Sequence, residues 1–144
     1  MPIVAFDHLT LRCADLPAAW RFYADVLGLH VVERPGLNVP AAIVYLGDAQ
    51  LLHLFQATPE QDAIFARLRP PVDDAEAAQW GTARLHHLAL QARGLADLRA
   101  RLSSAGFGFT ERTLTGAGKH LILVKDPDHL EIELAFGLDE VAAA

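Results

Sequence analysis

Residues 85–92 read LHHLALQA and residues 6–13 read FDHLTLRC; in each, a histidine leads a run in which apolar residues alternate with others. Alternation with period two is the pattern of a strand with one covered face. Superposing His8 on His87, a shift of 79 positions, also matches Leu9 with Leu88, Leu11 with Leu90 and Leu16 with Leu95. With one gap, Gly28, Glu33 and Arg34 meet Gly106, Glu111 and Arg112. A similarity of this length marks one supersecondary unit written twice.

Each copy continues as a helix and a second strand. In the first helix Asp15 is the expected N-cap and Pro17 suits the first turn. Trp20, Tyr23, Ala24 and Leu27 form the expected apolar face, and Gly28 the stop. In the second, Leu95, Leu98 and Leu102 supply the face and Gly106 the stop. Beyond these, AIVYLGDAQLLHLFQ (42–56) and LILVKDPDHLEIELAFG (121–137) are each two strands joined by a tight turn, GDAQ or DPDH. A shift of 80 pairs Leu52 with Ile132, His53 with Glu133 and Leu54 with Leu134. The expectation is an α+β fold, a single domain of two pseudo-symmetric βαβββ modules over about 3–56 and 84–137, whose curled sheets enclose a cleft. Residues 57–83 join them. Thr58-Pro59-Glu60 begins a helix there, Ile64, Phe65 and Leu68 give it an apolar side, and Pro70-Pro71 ends it. This connection, with Trp80, is expected to cover one mouth of the cleft; a plain spacer is the alternative reading.

Composition narrows the class. Among 144 residues, 52% are hydrophobic and 21% charged, the balance of a globular chain. A net charge of −6, with Lys119 and Lys125 the sole lysines and arginines scattered without a run, argues against nucleic acid as a partner. No apolar stretch approaches the length of a membrane span. The N-terminus lacks a basic segment followed by an apolar one, so no signal peptide is expected. The single cysteine, Cys13, suits a reducing compartment, and the expected location is cytoplasmic. A small molecule is the partner left.

Alternation also assigns faces. Turned away from the helices are His8, Thr10 and Arg12; Leu51, His53 and Phe55; His87, Ala89 and Gln91; and Glu131, Glu133 and Ala135. His8, His53, His87 and Glu133 thus fall at equivalent places of the repeat. One histidine alone reads more readily as a half-buried polar residue satisfied by a neighbour. Four in register point to a ligand set for a divalent transition metal, and two histidines with the glutamate make a triad with open positions. His120 is either a lining residue or an ordinary polar residue of a strand edge. His30 and His86 are assigned to the surface or to packing.

FDHLTLRCADLPAAWRFYADVLGL, LLHLF, HLAL and DPDHLEIEL together resemble the vicinal oxygen chelate superfamily, which includes glyoxalase I, fosfomycin-resistance transferases, methylmalonyl-CoA epimerase, extradiol dioxygenases and bleomycin-resistance proteins. The resemblance covers nearly all of the chain outside 57–83. It implies His8, His87 and Glu133 as metal ligands, with His53, where a glutamate is common, as fourth ligand or as an acid–base group together with Glu133. It implies one divalent metal (zinc, nickel, manganese, cobalt or iron) and a pocket shaped by Thr10, Arg12, Phe55, Gln91 and His120. Arg12 would meet a substrate carboxylate or phosphate. Ala57 and His53 depart from glyoxalase I, TGAGKH (115–120) from the phosphate loop of the fosfomycin enzymes, and His129 from the usual turn glycine. Three activities follow from the resemblance: a glyoxalase-like lyase or isomerase, an Fe(II) ring-cleaving dioxygenase, and a metal-free drug-binding protein. A homodimer is also implied, with each site built within one chain or across two.

Overall fold

A computed structural model describes residues 5–60 and 85–143. The chain divides into two compact units, Met1–Arg69 and Pro70–Ala144, each carrying its own four-stranded sheet. Of the connection, Pro59 and Glu60 are helical, where a helix start is expected; Ile64, Phe65, Leu68 and Trp80 lie outside the described residues.

In the first module β1 (Leu9–Cys13) leads into α1 (Leu16–Arg21), which continues as wider π-type turns over Phe22–Val26. β2 (His30–Glu33), β3 (Ala41–Leu46) and β4 (Ala49–Gln56) follow. Asp15 caps the helix, its carboxylate accepting from the Ala18 amide at 2.9 Å. Gly28 ends it in the left-handed region at φ 72°. The buried helix residues are Leu16, Ala19, Phe22, Tyr23 and Val26, so the expected face of Trp20, Tyr23, Ala24 and Leu27 is correct only at Tyr23. The Leu27 amide bonds the Phe22 carbonyl, five residues back, and this widened turn rotates the later side chains off the 3.6-residue spacing.

The sheet order is β1-β4-β3-β2, with β1 and β4 parallel and the other pairs antiparallel. Leu9 lies opposite Leu52, Thr10 opposite His53 and Leu11 opposite Leu54. Leu52, Leu54, Val44 and Ala42 are fully buried in the core with Phe22 and Tyr23. Removing a side chain of this size from water contributes about 1.5–3 kcal/mol.

The second module repeats the plan: β5 (His87–Gln91), α2 (Leu95–Ser104), β6 (Phe109–Leu114), β7 (Lys119–Lys125) and β8 (Glu131–Gly137), closed by a short α3 (Asp139–Ala143). Its order is β5-β8-β7-β6, again with only the β5–β8 pair parallel. Leu88 meets Ile132 and Ala89 meets Glu133, reproducing the Leu9–Leu52 and Thr10–His53 register that the repeat implies. Leu95, Leu98 and Leu102 are buried as expected, with Ile122, Val124, Ile132, Leu134 and Phe136 beneath them. α2 has no side-chain cap of its own at Gly94; the Glu140 carboxylate of α3 accepts from the Gly94 and Leu95 amides at 2.6 and 3.0 Å. A negative charge there also opposes the positive end of the helix dipole.

Candidate functional site

In the first module β1 and β4 run side by side, so the residues that alternate away from α1 share one face: Thr10 and His53 in one row, Arg12 and Phe55 in the next. His8, one position before β1, reaches the same face and stacks on His53, their ring centroids 3.6 Å apart. The structure therefore joins two of the four expected ligands directly. His8 Nδ1 donates to the carboxylate of Asp7. A carboxylate only accepts, so it fixes the proton on Nδ1 and leaves the lone pair of Nε2 for a metal, the arrangement that orients histidine ligands.

His53 is committed differently. It is 7% exposed, and both ring nitrogens have partners: Nδ1 accepts from Arg34 Nη1 at 2.8 Å, and Nε2 donates to Gln50 Oε1 at 2.6 Å. Burial, then the repulsion that a protonated His8 would add and that of the Arg34 guanidinium, push its pKa below the ordinary histidine value, against an opposing pull from Asp7. His53 is thus held as a neutral ring. Arg34 and Gln50 were not legible as its partners, although Arg34 sits just past β2 and Gln50 three residues before His53.

In the second module His87 and Glu133 share the face away from α2, with His87 Nε2 and Glu133 Oε2 4.0 Å apart. Their side chains are 37% and 25% exposed. Glu131, directly opposite His87 in the β5–β8 register, lies on this face too. His86, assigned to the surface from sequence, is indeed 82% exposed in its side chain. It nevertheless brings Nδ1 to 2.9 Å from His87 Nδ1 and to 4.0 Å from Glu131 Oε1.

Gln91 stands at the other end of β5, lining an open groove of about 970 Å³ with Arg93, Lys119, Phe136, Asp139 and Glu140. His120 does not share the face of Glu133. It pairs with Phe136 in the β7–β8 register, on the side that α2 covers, and is 5% exposed. There Nε2 donates to Glu111 Oε2 at 2.7 Å and Nδ1 meets the Thr113 hydroxyl at 2.8 Å. Glu111 is held in turn by Arg99 of α2 through two bonds of 2.9 and 2.7 Å.

Paired βαβββ modules, each presenting a histidine before or at its first strand and a polar residue on its last, define a glyoxalase-type fold. Residues 5–134 match the model of the Glyoxalase/Bleomycin resistance protein/Dioxygenase superfamily. The chain belongs to that superfamily. No curated protein matches the sequence. Among solved structures, it is similar to a lactoylglutathione lyase from Agrobacterium tumefaciens at 22% identity, covering 95% of this chain and 96% of that one, with a TM-score of 0.61. The fosfomycin resistance protein FosX from Listeria monocytogenes is 16% identical, with 94% of each chain covered and a TM-score of 0.64. TnmS3, an antibiotic binding protein from Streptomyces sp. CB03234, is 19% identical over 95% of this chain and 98% of that one, with a TM-score of 0.62. At these identities the likeness is one of fold. No described helix is long and apolar enough to cross a membrane.

Proposed function

We propose that the protein is a metal-dependent enzyme of the glyoxalase type, a lyase or isomerase acting on a small oxygenated metabolite. The observation that carries this reading is the pair of His87 and Glu133 on adjoining parallel strands, 4.0 Å apart and open to solvent. His8, whose Nε2 lone pair is freed by Asp7, supports it from the first module. Imidazole nitrogens and a carboxylate suit zinc, nickel, cobalt, manganese or iron in the divalent state. His8, His87 and Glu133 would hold the ion. When bound, it supplies Lewis acidity toward paired substrate oxygens.

The other residues act on substrate. Arg12 binds a carboxylate or phosphate of the metabolite, while Thr10, Phe55 and Gln91 shape its pocket. His53, neutral and carrying its proton on Nε2, is the group poised to exchange a proton once Gln50 releases it. It serves there better than as a fourth ligand, because Arg34 occupies its lone pair. We also propose that the protein works as a homodimer, the twofold dimer being the commonest closed assembly of identical soluble chains.

The same occupation of His53 favours a second reading, a metal-free small-molecule binder, and the antibiotic binding protein shares the fold. The test is to purify the untagged protein without added metal and measure bound elements by mass spectrometry. About one equivalent of one transition metal per chain, lost in His8→Ala and Glu133→Ala, supports the enzyme. Iron would direct the assays to oxygen-dependent ring cleavage, and the other elements to isomerase or lyase chemistry. A folded protein that stays empty when Zn²⁺, Ni²⁺, Mn²⁺ and Fe²⁺ are offered sinks the enzyme reading in favour of the binder.

A further inference from the structure

We infer that Arg34 anchors an anionic group of the ligand, a carboxylate or a phosphate, against His53 on the open face of the first module. The inference rests on the reading of that face as a small-molecule pocket, but not on its metal. Arg34 follows β2, and its amide donates to the Ala41 carbonyl at 2.9 Å, extending the β2–β3 ladder by one residue. Ala41 lies opposite Phe55, and Phe55 opposite Arg12. Arg12, Phe55, Ala41 and Arg34 therefore form one rung across the sheet, next to the rung of Thr10, His53, Ile43 and Val32. The small side chain of Ala41 lets the guanidinium lean inward, and Nη1 reaches His53 Nδ1 at 2.8 Å.

A neutral imidazole is an incomplete partner for this cation: it accepts one N–H and brings no charge. Arg34 is half-buried, and no carboxylate among the described residues pairs with it. Glu33 alternates to the other face, opposite Ala42, and Asp7 is bonded to His8. A half-buried cation is costly without a counter-charge, and an anionic ligand supplies one. The remaining N–H groups of Arg34 keep the planar fork that holds a carboxylate or phosphate through two parallel bonds. The second module shows the alternative. Its matching rung is Gln91, Ala135, Leu121 and Arg112, the last being the repeat partner of Arg34. Leucine stands there in place of Ala41, and Arg112 is exposed. Only in the first module is the arginine drawn onto a histidine, the same His53 proposed to exchange a proton. The substrate class that fits is an organic acid or phosphate ester whose reacting carbon lies close to its anionic group.

The probes are benzoate and inorganic phosphate, each titrated into the metal-stripped, untagged full chain while the histidine ¹⁵N resonances are followed. At least one is expected to bind saturably and to move Nδ1 of His53, and the one that does so names the group. Arg34→Gln should lower that affinity about tenfold or more. Arg34→Lys, which keeps the charge but not the fork, should lower it less. Absence of saturable binding by either probe overturns the inference. So does binding that leaves His53 Nδ1 unmoved, or that Arg34→Gln leaves unchanged within twofold. Should Arg34→Gln fail to fold by circular dichroism, the His53 resonance of the wild-type chain decides alone. Failure of the enzyme reading looks different: the chain then takes up no transition metal, yet still binds the probe through Arg34.

Discussion

The two modules place a polar residue at the same point of their last strand, His53 in one and Glu133 in the other, and treat it in opposite ways. His53 is buried, stacked on His8 and bonded at both nitrogens. Glu133 is a quarter exposed, with His87 at 4.0 Å. The same contrast holds one strand over, where a carboxylate fixes the ring of His8 and an imidazole leaves that of His87 adaptable. A duplicated scaffold therefore does not give duplicated chemistry. The first module is set in advance by its neighbours, whereas the second pairs its leading histidine with another imidazole and leaves Glu133 part-exposed.

The largest expected effect tests the fixed side of this contrast. Asp7→Asn keeps the shape of the side chain but presents an amide that both donates and accepts. The His8 tautomer is then no longer imposed. Loss of such an orienting partner lowers metal affinity by about ten- to a hundredfold. If the His8 ligand works through Nε2, Asp7→Asn should weaken the metal bound in the wild-type chain by that factor, measured by competition with a chelating dye. Affinity unchanged within twofold would show that Asp7 is only a surface partner of His8.

Periodicity revealed much of the fold because the pattern repeats: the registers Leu9–Leu52 and Leu88–Ile132 are the two halves of one alignment. The face of α1 was not legible, since nothing in FYADV announces a five-residue turn. The site divides in the same way. Strand alternation places His53 and Glu133 away from the helices, but His120 alternates to the covered side, which the residue type alone does not reveal. Partners distant along the chain, such as Arg34 for His53 or Glu111 for His120, follow from strand pairing and not from local spacing. Asp7 and His86 were the nearest missed signals, each adjoining a leading histidine.

The hairpin turns offer a smaller effect. The first module turns through Gly47 at φ 60°, the second through His129 at φ 68°, where a side chain is strained. Asp126 holds that turn, accepting from the Asp128 and Leu130 amides at 2.9 Å. A left-handed residue bearing a Cβ costs about 1–2 kcal/mol, and glycine gives back about 0.5–1 kcal/mol through the freedom of the unfolded chain. His129→Gly is expected to stabilise the protein by about 0.5 kcal/mol, seen as a raised urea midpoint. Gly47→Ala should destabilise the protein by about 0.5–1 kcal/mol, because an added Cβ meets nothing within 4 Å and the left-handed backbone cost exceeds what the unfolded chain gives back. If His129→Gly destabilises instead, the ring makes a favourable contact that outweighs the strain.

The smallest effect concerns the two buried histidines, which sit on opposite faces beside opposite charges: His53 against Arg34, His120 against Glu111. The Arg99 guanidinium, bonded to Glu111, holds that carboxyl below its ordinary value; burial opposes the shift and His120 adds to it. A carboxylate with a lowered folded pKa contributes stability that is complete above its unfolded value, near 4.5, and is lost as pH falls through the folded value. Between those two values the unfolded chain binds more protons, so stability declines on acidification. Glu111→Gln removes this proton uptake while keeping an acceptor for Arg99 and His120. The urea midpoint of the variant should therefore fall less steeply than that of the wild type below about pH 4.5, while lying slightly lower at neutral pH. Since Arg99 and Glu111 are partly solvated, with side chains 31% and 27% exposed, the difference should shrink in high salt. Identical pH profiles would mean that the bidentate pair is screened out in solution, leaving His120 anchored by Thr113 alone.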